Sequence, residues 1–137
     1  MLRKIALGLS VLVLALFIAS IAGYVITGPQ APAADSVSAQ WLKPGPYMTA
    51  SSDKVFVDSS RGTAANRDYS GAADRTLATT LWYPLDSEES HPLVIHSHGF
   101  TSARNDLSYV AELLASHGYI VAAADYPLTH GGAPGKP

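Results

Sequence analysis

Cysteine is absent from the 137 residues. That absence excludes disulfides, thiolate-bound metal, a cysteine nucleophile and a lipidated cysteine, so the fold must be held by packing alone. Charge is also sparse. Only 15% of residues are Asp, Glu, Lys or Arg, and the formal net charge is -2. With no basic stripe to follow a phosphate backbone, nucleic acid is not an expected partner. No internal repeat is visible, and a hydrophobic share of 47% is that of an ordinary globular chain.

What is present begins with an address. Arg3 and Lys4 precede an uncharged apolar run from Ile5 to Ile26, and about 20 such residues suffice to span a bilayer. Cations before the run and none just after it predict a cytoplasmic N-terminus and an external remainder. The run shows no amphipathic stripe, which argues against a buried core helix. It is either an uncleaved anchor or a signal peptide, with Ser20-Ile21-Ala22 and Ala31-Pro32-Ala33 supplying small residues for a cut. The product is accordingly expected outside the cytoplasm: membrane-anchored and facing outward, or periplasmic or secreted if cleaved. Residues 1–26 form this segment. Residues 27–45, with Pro29, Pro32 and Pro44 among Gly, Ala, Ser and Gln, read as an extended linker, and residues 46–137 as the folded part.

Within the folded part, KVFVD at 54–58 reads as a short strand ended by Ser59, Ser60, Arg61 and Gly62. TLATTLWY at 76–83 alternates as a strand with two unlike faces. The nearly continuous apolar run LVIHS at 93–97 suggests a strand buried on both faces of a parallel sheet. After Thr101 and Ser102, which could cap a helix, Leu107, Val110, Ala111 and Leu114 recur at helical spacing, with Asp106, Glu112 and Ser116 elsewhere on the wheel. His117 and Gly118 have the chemistry of a helix end, and YIVAAAD at 119–125 reads as another buried strand. A strand, helix and strand so close together form a βαβ unit, giving an α/β class.

In open α/β sheets ligands sit at the carboxyl ends of strands, which singles out the loops at 98–104 and 126–136. Gly99 lets the chain turn without a Cβ in the way, leaving the N–H of Phe100 free to face a cleft and an oxyanion. The stretch PLVIHSHGFTSARNDLSYVAELLASHGYIVAAADYP resembles the third strand, first helix and fourth strand of the α/β-hydrolases, in their dienelactone hydrolase, platelet-activating-factor acetylhydrolase and cutinase-like branch. VDSSRG and RTLATTLWYP resemble the two strands before them, so the resemblance covers residues 54 to 134.

The resemblance implies the N-terminal part of an α/β-hydrolase sheet preceded by an apolar helix. It also implies a serine hydrolase acting on a small-molecule or lipid carboxylic ester through an acyl-enzyme, with no cofactor. It makes the Phe100 N–H one half of the oxyanion hole, Gly99 the residue that permits the turn, the Phe100 ring a wall of the acyl pocket, and His98 a loop support rather than the base. In this family the order is nucleophile, acid, histidine, yet no G-x-S-x-G occurs in the chain, and Ser97 has Ile95 where the first glycine should stand. The expectation is therefore an N-terminal fragment, truncated before the nucleophile elbow and by itself inactive.

Two alternatives belong to other classes. His96 and His98, at i and i+2, could bind a metal in a metal-dependent hydrolase. A membrane-tethered, non-catalytic binding module would account for the missing nucleophile. Bland roles are expected for His117 as a helix-end cation and His130 as a loop residue. Asp125 is read as a carboxylate capping the loop after its strand, with an active-site acid as its alternative.

Overall fold

The computed structural model describes residues 2–137, with side chains from Leu7 onward. Two compact units divide at Ala39 and Gln40. The first is dominated by helix α1, Leu2–Thr27. Its stretch from Leu7 to Thr27 is the one segment among the described residues long and apolar enough to cross a membrane, and no part of it is buried. Helix α2, Val37–Trp41, is a short helical interruption in what reads as an extended linker. It follows Ser36, whose Oγ accepts a hydrogen bond from the Ala39 N–H at 3.2 Å, as an N-terminal cap does.

The second unit is a four-stranded mixed sheet in the order β1-β2-β4-β3, with β1 Thr49–Asp58, β2 Arg75–Pro84, β3 Leu93–Ser97 and β4 Ile120–Asp125. β1 and β2 pair antiparallel along ten residues each, from Thr49↔Pro84 to Asp58↔Arg75. β4 runs antiparallel to β2 and parallel to β3. Helix α3, Ser108–Ser116, connects β3 to β4 and completes the βαβ unit. The core lies between α3 and one sheet face, where Trp82, Val121 and Ala123 meet Ala111 and Ala115. The alternation in β2 and β4 places these residues there, since every second side chain points to the helix.

Several expectations require correction. β1 begins at Thr49, five residues before KVFVD, because a full backbone ladder with β2 defines it where the polar TASSD gives no side-chain pattern. β3 is not buried on both faces: Leu93 and Ile95 are 61% and 63% exposed, because α3 covers only the face of Val94 and His96. The sheet is mixed rather than parallel. The α-helix starts at Ser108, not after Thr101 and Ser102; Leu107 is its N-cap, and it makes no side-chain capping bond. Ser116, off the apolar stripe of the helix, is nevertheless buried.

That burial has a partner. The Ser116 hydroxyl accepts the Gly45 N–H at 2.8 Å, and the Ser116 carbonyl accepts the Tyr47 N–H at 3.1 Å. A Cβ at Gly45 would lie 2.1 Å from that carbonyl oxygen, so only glycine allows the approach. Residues 43–47 are thereby fixed to the end of α3, where His117 Nε2 also lies 3.0 Å from the Lys43 carbonyl. Gly118 follows at φ +91°, the left-handed geometry that closes a helix, with its N–H donating to the Ala115 carbonyl.

Candidate active site

The carboxyl ends of β3 and β4 carry the two loops of interest. The segment from His98 to Leu107 is not helical; it is a chain of turns, with Ser102 N–H donating to Gly99 O and Asp106 N–H to Ala103 O. The Phe100 N–H has no hydrogen-bond partner among the described residues. An unpaired amide on a turn at a strand end is a donor available to a ligand.

Glycine does not create this turn by the means the sequence suggests. A Cβ added at Gly99 would meet nothing within 4 Å. The residue in left-handed conformation is Thr101, at φ +66°. For a β-branched residue that is a true outlier, costing about 1–3 kcal/mol and persisting only where the surroundings enforce it. Here the enforcement is visible: Thr101 N–H donates to Thr129 O at 2.8 Å, and Gly131 N–H donates to Ser102 O at 2.8 Å.

His98 stands on the same seam. The Tyr126 N–H donates to its Nε2 at 3.1 Å, so that nitrogen is unprotonated, and Nδ1 carries the hydrogen given to the Gly99 carbonyl at 2.7 Å. Its ring lies 5.3 Å from that of Tyr126, whose hydroxyl is 2.9 Å from Ser97 Oγ. Phe100 is 69% exposed.

Asp125 faces back, not forward. Its Oδ1 accepts the Arg104 N–H at 2.8 Å and its Oδ2 accepts from Arg104 Nη1 at 2.5 Å, so it fastens the loop before α3 rather than capping the one after β4. Arg104 Nε donates to Thr80 Oγ1 at 2.9 Å, and Thr80 donates to Asp53 Oδ1 at 2.6 Å. The sequence gives no hint of this cluster, because its members lie 21 to 27 residues apart and meet only through the strand register.

Both ring nitrogens of His98 are engaged, by the Gly99 carbonyl and the Tyr126 N–H, whereas His96 faces elsewhere for its contacts, toward the lining of a cavity. The His96 Nε2 is buried without a partner among the described residues, beside that cavity of about 190 Å³ lined by Trp82, Val94, Arg104, Leu107 and Leu114 among others. No group of three or more His, Asp or Glu among the described residues could hold a metal ion. His130 accepts the Gly132 N–H at 3.2 Å and stays a loop residue, lining a second cavity of about 260 Å³ with Thr63, Tyr69, Asp74 and Asp125.

The sequence pattern of the family described as platelet-activating factor acetylhydrolase, isoform II, matches residues 29–127. The chain belongs to this family. A stretch of 43 residues is 46% identical to the platelet-activating factor acetylhydrolase of Cavia porcellus, covering 31% of this chain and 10% of that protein. Among solved structures, a ferulic acid esterase from Streptomyces cinnamoneus is 27% identical, with a TM-score of 0.50 over 60% of this chain and 34% of its own. The chain thus matches a tenth of the first relative and covers about a third of the second. The α/β-hydrolase class, its dienelactone hydrolase and acetylhydrolase branch, and ester hydrolysis as the family's activity follow from these likenesses together with the mixed sheet.

Proposed function

We propose that this chain is the front part of an exported serine esterase, and that the Phe100 N–H donates to the oxyanion formed when a carboxylic ester is attacked. The observation that carries the reading is that unpaired amide, on a loop held from both sides at the carboxyl end of β3. In the reaction, a serine hydroxyl gives its proton to the base as it adds to the ester carbonyl, the carbonyl oxygen takes the negative charge, and collapse expels the alcohol, protonated by that base, to leave an acyl-enzyme for water to cleave. The serine, acid and base are contributed by sequence outside these 137 residues, which hold no G-x-S-x-G. His98 holds the loop and takes no proton from the serine. The substrate is a small-molecule or lipid ester, and α1 serves as signal or anchor.

Because the donor is main chain, side-chain and backbone changes at Phe100 separate. Phe100→Pro deletes the N–H and should lower kcat by about 100-fold or more. Phe100→Ala keeps it and should alter mainly which acyl group is preferred. Assays with p-nitrophenyl esters of graded chain length read both, and equal effects from the two variants would remove the oxyanion role.

A further inference from the structure

Resting on that reading, we propose that Arg104 and Asp125 are positioning residues that set where the Phe100 N–H points. Asp125 grips one residue of the loop twice, through the Arg104 main-chain N–H and through its guanidinium. Two bonds to one residue fix orientation as well as distance. The pair is mostly sheltered, with side chains 22% and 15% exposed, so water competes weakly for it. Thr80 Oγ1 accepts from Nε, which ties the guanidinium to β2. The sheet therefore holds the loop at Arg104, while Tyr126, Thr129 and Gly131 hold it at His98, Thr101 and Ser102. Phe100 and its unpaired amide lie between these ties.

A displacement of about 1 Å at a reacting centre can cost about 100-fold in rate. Arg104→Lys and Asp125→Asn, made in the protein expressed from its complete gene and normalised to the folded fraction by circular dichroism, should lower kcat by about 10- to 100-fold and leave KM within about threefold. Inhibition by a trifluoromethyl ketone, which forms an oxyanion when the serine adds to it, should weaken in step with kcat. Ethylguanidinium should restore part of the rate of Arg104→Ala. Thr80→Val, a milder change, should show the same kcat-only signature at a few-fold if the charged variants fail to fold. Unchanged kcat in folded variants, a rise in KM with kcat intact, or inhibitor affinity that does not follow kcat overturns the positioning role while esterase activity stands. A wild-type protein that neither turns over esters nor is labelled by a fluorophosphonate overturns the esterase reading and this role with it.

Discussion

Replacing Gly45 by alanine should unfold the folded part far more readily than its place in a Pro- and Gly-rich stretch suggests. The added Cβ would stand 2.1 Å from the Ser116 carbonyl oxygen, 2.6 Å from its carbon and 2.8 Å from His117 Nδ1. No side chain can rotate to relieve a clash with main-chain atoms, so residues 44–47 must move away by about 1 Å. That movement breaks the Gly45 and Tyr47 bonds to Ser116, each contributing about 1 kcal/mol. Overpacking strain adds about 1–3 kcal/mol, for a loss of about 3–5 kcal/mol. In a domain of this size the Tm should fall by at least about 12 °C. The control is Gly99→Ala, where the methyl enters open space and the Tm should move by less than about 4 °C. Thermal denaturation followed by circular dichroism compares the two. A Gly45→Ala protein that melts like wild type would show that this segment is not docked on α3.

Other expectations follow from local geometry. Thr101→Asn places a residue that tolerates left-handed backbone at φ +66°, and should raise stability by about 1 kcal/mol in urea denaturation; no gain would mean that no strain is stored there. Asp58 accepts bonds from the Ser60 hydroxyl, the Arg61 guanidinium and the Ser60 N–H, in that order of weight, which lowers its pKa from 3.8 to about 2. Its folded value lies below its unfolded value, so its stabilising contribution is complete above pH 3.8 and is lost as pH falls through about 2. Carboxyl NMR should give a midpoint near 2 that moves up toward 3.8 in Ser60→Ala, and a wild-type midpoint already near 3.8 would mean that this turn does not form in solution.

The parts of the fold readable in the sequence are those whose local pattern coincides with their tertiary role. LVIHS is bounded by Pro92 and the His98-Gly99 turn and becomes β3 with the same bounds, 93–97, although only the face of Val94 and His96 is covered and Leu93 and Ile95 are exposed. The TASSD half of β1 has no such pattern, because an edge strand needs only backbone pairing. Thr101 and Ser102 look like helix caps by residue type, yet the grip of Asp125 on Arg104, 21 residues away, holds that segment off the helical path. The docking of Gly45 on Ser116, across 71 residues, is equally silent locally. At the candidate site, the H-G-aromatic turn marks Phe100, but the residues that hold it meet only once the strands are in register.

The most direct test of the central claim is to express the protein from its complete gene, treat it with a serine-directed fluorophosphonate and assay p-nitrophenyl esters. The account predicts covalent labelling of one serine within a G-x-S-x-G that follows these residues, with loss of esterase activity in proportion. A product that hydrolyses no ester and takes no label would contradict it, leaving the hydrolase scaffold as a binding module.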